Sequence, residues 1–352
     1  MKKKSSETSD MKKHLFAIIL AGGTGTRFWP QSRKHKPKQF LNILGPESLY
    51  QQTLKRVQSR ISGDHIFVVT NKIYKAEIFR QSEAFKILKQ NVLLEPSSKN
   101  TAPAIYWAAS LILNRDPDAV IVVLPSDHFI AQPKEFLKVL DAAASQAALG
   151  YLVTLGIIPT RPETGYGYIK GARGKGKGAR RVERFIEKPD AAKAKQYVQD
   201  GNYYWNAGIF IFKAEAILAA FKKYLPRIKN VEDDWEKLPS ISIDYGILEK
   251  ADNVVIIPAE NIGWSDVGSW ESLMDILPKD KDGNVFKAKG VFLDCHNTFI
   301  SGERKVVSAV GLKDLIVIDT HDALLICPKE QSQNVKQLVA HLSKQKAFEP
   351  YV

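Results

Sequence analysis

Cysteine is nearly absent from this chain. Its two residues, Cys295 and Cys327, are too few for a disulfide framework and lack metal-ligand spacing with any histidine. Two free, buried thiols and a cytoplasmic location are the expectation. No apolar run approaches the roughly 20 residues of a membrane-spanning helix, so no membrane partner is expected. Met1 to Lys13 is polar and lysine-rich and lacks the apolar core of a secretory signal. It reads as a disordered tail, residues 1–13, with Met11 as an alternative start. Acidic residues are in deficit, 38 against 51 basic, for a net charge of +13. That balance suits nucleic acid, a membrane surface or a small anion. The densest basic run, Lys170 to Arg181, has no aromatic residues among its charges, which argues against a nucleic-acid partner. It reads as a solvated excursion between two strands. No Ser-His-Asp order and no cysteine nucleophile stand out.

Two common glycine motifs are missing as well. The stretch Leu15 to Phe40 contains Ala21-Gly22-Gly23-Thr24-Gly25-Thr26-Arg27, but no Gly-Lys-Ser/Thr follows, which excludes a Walker loop. Phe28 stands where a dinucleotide fingerprint needs its third glycine. What remains is an apolar strand, Leu15 to Leu20, emptying into a glycine-rich turn. Its successive N–H groups make a concave anion site. Arg27 adds a fork of donors, and Lys36 and Lys38 follow on either side of the stiff Pro37. The pattern predicts a triphosphate site.

Strand and helix signals alternate along the chain. Strands are predicted at His65–Thr70, Val92–Leu94, Ala119–Leu124, Tyr151–Ile157, Ile209–Phe212 and Val254–Ile257. Helices are predicted at Glu47–Ser59, Lys72–Ala84, Ala104–Leu113, Pro133–Leu149, Asp190–Gln199 and Ser242–Lys250. The alternation implies an α/β fold, doubly wound around a mostly parallel sheet. Ligands of such sheets bind beyond the carboxyl ends of the strands, where the glycine loop and Asp127 fall. From Gly283 the texture changes to short strands at tight spacing, from Val285–Phe286 through Leu324–Cys327, closed by a helix over Gln331–Lys344. These predict a small C-terminal β-solenoid.

Asp127 ends an apolar strand and Asp266 lies between Trp264 and Trp270. Brought together, two such carboxylates suit magnesium over phosphates. His128 reads as a packed neighbour of Asp127 rather than a ligand. Lys188, in Glu187-Lys188-Pro189, is a point charge suited to a second phosphate. Glu187 suits sugar hydroxyls, Gly165 and Gly167 permit close approach, and Asn206 offers both a donor and an acceptor. The inventory points to phosphoryl-type transfer by position and charge, without a covalent intermediate.

The chain resembles the bacterial mannose-1-phosphate guanylyltransferases of the sugar nucleotidyltransferase superfamily. The resemblance rests on Leu20-Ala-Gly-Gly-Thr-Gly-Thr-Arg27-Phe-Trp-Pro30, Lys36-Pro-Lys-Gln-Phe40, Glu95-Pro96 with Asn100-Thr-Ala-Pro103, and Pro125-Ser-Asp-His128. It continues through Thr164-Gly-Tyr-Gly-Tyr-Ile169, Phe185-Ile-Glu-Lys-Pro189, Trp205-Asn-Ala-Gly208, Ser242-Ile-Asp-Tyr245 and Trp264-Ser-Asp-Val-Gly-Ser-Trp270. It implies a Rossmann-like nucleotidyltransferase domain over 14–282 and a left-handed β-helix-like domain with a terminal helix over 283–352, associated with homodimer contacts. The implied reaction is GTP plus α-D-mannose 1-phosphate to GDP-mannose and pyrophosphate. Mg2+ would be held by Asp127 and Asp266, and the leaving pyrophosphate stabilised by Arg27 and Lys38. The glycine loop, Ala21 to Thr26, would bind nucleotide, with the base near Ala21, Gly22, Glu95 and Asn100. Lys188 would hold the sugar phosphate, with Gly165, Tyr166, Gly167, Glu187 and Asn206 around the sugar.

Ser98-Lys99 departs from the Gly-Arg that often precedes Asn-Thr-Ala-Pro in that family, which softens the expected grip on nucleotide. Many relatives carry a further C-terminal isomerase domain, and a single activity is expected here. The alternatives are another sugar 1-phosphate, such as heptose or glucose, another nucleotide, UTP or dTTP, or a non-catalytic nucleotide-sugar-binding subunit.

Overall fold

The apolar run Leu15–Leu20 folds as a strand buried along almost its whole length. The computed structural model describes residues 13–23, 25–174 and 178–352. They form two units. Among the described residues, the first takes in 13–22, Thr53–Ser126 and Ile130–Trp264, and the second Gly23–Gln52, Asp127–Phe129 and Ser265–Val352. The chain passes between units at Gly22–Gly23 and at Ser126–Asp127, within two of the motifs singled out above.

The first unit is built on a nine-stranded sheet. Its strands are β1 (Leu15–Leu20), β2 (Ile66–Asn71), β3 (Val92–Glu95) and β4 (Val120–Pro125). Past a two-residue strand, β5 (Phe129–Ile130), come β6 (Leu152–Ile157), β7 (Tyr168–Gly171), β8 (Arg180–Ile186), β9 (Tyr203–Lys213) and β10 (Val254–Pro258). The order is β3-β2-β1-β4-β9-β6-β10-β8-β7. Strands β1 to β4 pair in parallel, as do β6 and β10. The long β9 runs against both β4 and β6, and β8 runs against β10 and β7. The expectation of a mostly parallel sheet is corrected to a mixed one: a parallel half, then a half threaded by returning strands.

Alternate strand residues fix the two faces. Phe16, Ile18, Phe67, Val69, Ile121, Val123, Phe210 and Phe212 share one core with the helices Thr101–Arg115 and Ala214–Tyr224. The second of these helices was not among those predicted. The helix Pro133–Ala148 packs on β4, β6, β9 and β10 without joining that core, so helices cover both faces. The segment expected as an ordinary helix at Ser242–Lys250 contains a π-turn, Asp244–Leu248.

In the second unit, past β11 (Trp264–Ser265), the strands are β12 (Val285–Lys287), β13 (Phe292–Leu293), β14 (Phe299–Gly302), β15 (Ala309–Val310), β16 (Leu315–Asp319) and β17 (Leu324–Pro328). β12, β14 and β16 stack in parallel, β13 and β15 stack likewise, and β17 turns back against β16. Val285, Phe299 and Ile316 lie in register and enter one core with Phe28, Trp29, Trp270 and Val335. The predicted terminal helix is a 3-10 segment, Lys329–Asn334, followed by the α-helix Val335–Leu342.

Cys295 is buried and Cys327 half-buried, both free, and burial pushes the Cys327 thiol up. Of the basic run, Lys170 ends in β7 and pairs with Glu183, while Arg180 and Arg181 begin β8. The expected excursion is therefore shorter than predicted. Its centre, 175–177, lies outside the described residues, as do the expected tail through residue 12 and Thr24.

Candidate active site

In the second unit the glycine loop turns through Gly25, a left-handed residue (φ +59°) that opens the 3-10 turn Thr26–Phe28. A Cβ at Gly25 would lie 2.4 Å from the Lys38 Cβ and 2.7 Å from its main-chain N. Glycine is therefore required twice over, by dihedral and by space. Gly25→Ala is expected to cost about 2–4 kcal/mol of stability, read as a lowered Tm. An unchanged Tm would contradict this packing. The Gln39 side chain donates to the Gly23 carbonyl at 2.9 Å and pins the loop from below.

Arg27 donates from Nη1 to the Gln333 Oε1 at 2.9 Å, on the 3-10 segment that precedes the terminal helix. One of its five donors is spent there. Lys38 is buried, and its ammonium is fully used. It lies 2.8 Å from the Asp127 Oδ2 and donates to the main-chain oxygens of Asp266, at 2.7 Å, and Val267, at 3.0 Å. The structure thus gathers Lys38, Asp127 and the Asp266 main chain around one point. Burial pushes the Asp127 carboxyl up, but the Lys38 and His128 charges outweigh it and hold it below the usual carboxylate range. His128 stands 3.8 Å from the other Asp127 oxygen, the packed neighbour expected. Val267 holds a left-handed φ of +46°, unusual for a β-branched residue, and is fully buried.

The first unit holds the remaining candidates. Ala21 spends both main-chain groups on β2, donating to the Val69 carbonyl and accepting from the Thr70 hydroxyl. Beside Gly22 lies the Glu95 carboxylate: a Cβ on Gly22 would stand 3.3 Å from Oε2. Glu95 is 5% exposed, and burial pushes its carboxyl up to about 7. Asn100, at φ +67°, caps the helix Thr101–Arg115, with Oδ1 accepting from the Thr101 N–H. Lys99, which replaces the expected arginine, donates to the Glu236 carbonyl at 2.8 Å.

Around the second group, Lys188 (φ +40°) pairs with Glu187 at 2.5 Å on a largely exposed turn. A Cβ on Gly167 would come within 3.0 Å of the Glu187 Oε2. Glu163 accepts from the Gly165 N–H, and the Tyr166 ring meets the edges of Trp205 and Trp264. Asn206 donates to the Asp244 Oδ1 at 2.7 Å and accepts from the Gly208 N–H at 3.0 Å. Burial pushes the Asp244 carboxyl up against that hydrogen bond. Glu187, Gly167 and Asn206 are therefore neighbours, with Lys188 beside Glu187.

Sequence reasoning missed Asp244, Val267 and Gln333. Asp244 lies in the quoted Ser242–Tyr245 motif and was given no role; Gln333 carries no local signal at all. Among the described residues, no group of three or more His, Cys, Asp or Glu is placed to hold a metal, and no helix is long and apolar enough to cross a membrane.

Residues 16–283 match the nucleotidyl transferase family model, and residues 288–342 match the MannoseP isomerase/GMP-like beta-helix domain model. The alginate biosynthesis protein AlgA of Pseudomonas aeruginosa is 39% identical over 94% of this chain and 73% of its own. Mannose-1-phosphate guanylyltransferase 2 of Escherichia coli O157:H7 is 38% identical over 95% of this chain and 75% of its own. A solved structure from Thermus thermophilus, described as a mannose-1-phosphate geranyltransferase, superimposes with a TM-score of 0.87 at 30% identity, over 94% of this chain and 99% of that one.

Proposed function

The chain belongs to the nucleotidyl transferase family, in its mannose-1-phosphate guanylyltransferase branch, and from that premise we propose that it transfers GMP from GTP to α-D-mannose 1-phosphate, giving GDP-mannose and pyrophosphate. Such a transfer must bring two polyanions together. The observation that best supports it is a place where Asp127 and the Asp266–Val267 main chain already enclose a positive charge.

A sugar-phosphate oxygen attacks the α-phosphorus in line and pyrophosphate leaves, with no covalent enzyme intermediate. Lys188 holds the attacking phosphate. Glu187 and Asn206 hold sugar hydroxyls, and Asp244 fixes the Asn206 amide so that its second N–H faces the sugar. Arg27, with four donors left, and the loop Gly23 to Thr26 hold the triphosphate. Guanine presents adjacent N–H donors at N1 and N2, which the Glu95 carboxylate beside Gly22 would accept; Ala21 and Asn100 border the base.

Magnesium fits the donor set. The ion needs only one or two protein carboxylates, with water and phosphate oxygens completing its shell, and Asp127 and Asp266 supply two. Bound there, it would neutralise phosphate charge as the α-phosphorus is attacked.

The domain boundary is placed at 282/283, and the parallel rungs are read as a left-handed β-helix that carries homodimer contacts. The exposed Leu293 and Val310 on those rungs, with the exposed Val291 just before β13, support this. The location is read as cytoplasmic. A panel of sugar 1-phosphates against GTP, UTP and dTTP, followed by pyrophosphate release, tests the specificity. GTP with mannose 1-phosphate is expected to give the highest kcat/KM, and a better pair would defeat the assignment.

A further inference from the structure

One stretch of the first unit, Trp235 to Leu248, touches both groups of candidate residues there. It is tied first to the segment that carries Glu95 and Asn100. The Trp235 indole donates to the Ser97 carbonyl at 2.8 Å. The Ile241 N–H donates to the Lys99 carbonyl at 3.2 Å, and the Ile241 carbonyl accepts from the Ala102 N–H at 3.1 Å. The Ile243 N–H donates to the Thr101 Oγ1 at 2.9 Å. The next residue, Asp244, accepts from the Asn206 amide at 2.7 Å. Ile243 and Asp244 are consecutive, so a single peptide link separates a contact beside Asn100 from a contact on Asn206.

The stretch is packed in place. Trp235, Leu238, Ile243, Ile247 and Leu248 are buried in the core shared by β4, β9 and the helix Thr101–Arg115. Asp244 opens the π-turn, whose Glu249 N–H returns to the Asp244 carbonyl at 2.9 Å. Such turns are rare and frequently mark functional sites. On its other side the Asn206 Oδ1 accepts from the Gly208 N–H at 3.0 Å, so the amide is gripped at both ends. Apart from that amide, the ties use main-chain groups, a hydroxyl, an indole and the Asp244 carboxylate, none of which is assigned to a substrate.

We propose that Thr101 is a positioning residue for the sugar: through Ile243 and Asp244 its hydroxyl sets the Asn206 amide, so that the base segment and the sugar contact are held by one connection. This rests on the reading of Asn206 as a sugar contact and of Asn100 as a neighbour of the base. It makes recognition at the two ends interdependent.

Steady-state kinetics in Mg2+, with GTP and mannose 1-phosphate each varied at saturation of the other, tests it. Thr101→Val keeps the shape of the side chain and removes the acceptor for the Ile243 N–H. It is expected to raise KM for mannose 1-phosphate by about five- to ten-fold, and Thr101→Ser, which keeps the hydroxyl, is expected to restore it. Asp244→Ala should raise the same KM, and Thr101→Val placed on top of it should add nothing, because the hydroxyl acts through Asp244. A KM for mannose 1-phosphate that matches wild type in Thr101→Val overturns the proposal, whatever happens to Tm or to KM for GTP. Effects of the two substitutions that multiply independently overturn it as well. Should Thr101→Val fail to fold, Thr101→Ala supplies the comparison, with the same outcomes. Absence of turnover in wild type would strike the activity itself and this inference with it, a result separable from a variant that matches an active wild type.

Discussion

Asp266→Asn and Asp127→Asn are each expected to lower kcat by about a hundred-fold or more at saturating Mg2+ and GTP, with the chain still folded. The amide keeps the size of the side chain and removes the negative charge that would hold the ion over the phosphates. The two variants should differ in stability. Lys38 touches Asp266 through its main chain, so Asp266→Asn leaves all three ammonium contacts in place. Asp127→Asn replaces the one charged partner of a buried ammonium and is expected to show the lower Tm. Because the Asp127 carboxyl titrates below its ordinary value, its stabilising contribution is intact at neutral pH. That contribution is lost only as pH falls through the depressed folded value. Steady-state kinetics with thermal unfolding separates these effects. Wild-type turnover in either variant would end the two-carboxylate assignment.

Glu95→Gln is expected to weaken GTP binding by about ten- to a hundred-fold at pH 8, through loss of a charged acceptor for two guanine donors. The pH dependence carries the sharper signature. With the folded carboxyl pushed up to about 7, Glu95 is largely protonated at pH 6 and ionised at pH 8. Wild-type KM for GTP should therefore fall as pH rises through 7, while the variant's stays flat across that step. Stability moves the other way. An acid whose folded pKa is raised favours the folded state at low pH, and that advantage is lost between the unfolded value and about 7. Nucleotide-free Glu95→Gln is accordingly expected to be more stable than wild type at pH 8, by about 2–3 kcal/mol, and to lose that advantage near pH 5. A variant whose GTP KM matches wild type at both pH values would remove Glu95 from the base site.

The parallel half of the fold was legible because its strands are continuous apolar runs buried on both faces, each followed by a helical pattern. Leu15–Leu20 and Val120–Pro125 are examples. The reversal at Tyr203–Lys213 was not legible. Its apolar end, Ile209 to Phe212, is buried on both faces just as the parallel strands are, and nothing local says which way a strand points once neighbours from distant sequence pair with it. Ser242–Lys250 carries an ordinary helical pattern, and only the packed structure shows its π-turn.

The candidate site divides in the same way. The chemical types were readable: glycines before Arg27, lone carboxylates at Asp127 and Asp266, and Glu187-Lys188 ending a strand. Their engagement was not. Lys38 lies in the polar run Lys34-His-Lys-Pro-Lys38, whose lysines read as cations for a triphosphate, yet it is buried and donates to carbonyls more than 200 residues away. Gln333 reaches Arg27 across a comparable separation. Hydrogen bonds between distant segments leave no local pattern, so burial and partner must be seen rather than inferred.

The most direct measurement of the central claim is the product stoichiometry with GTP and α-D-mannose 1-phosphate in Mg2+, followed by 31P NMR. One GDP-mannose and one pyrophosphate are expected for each GTP consumed. GDP and inorganic phosphate instead, or GTP left intact in the presence of mannose 1-phosphate, would contradict it.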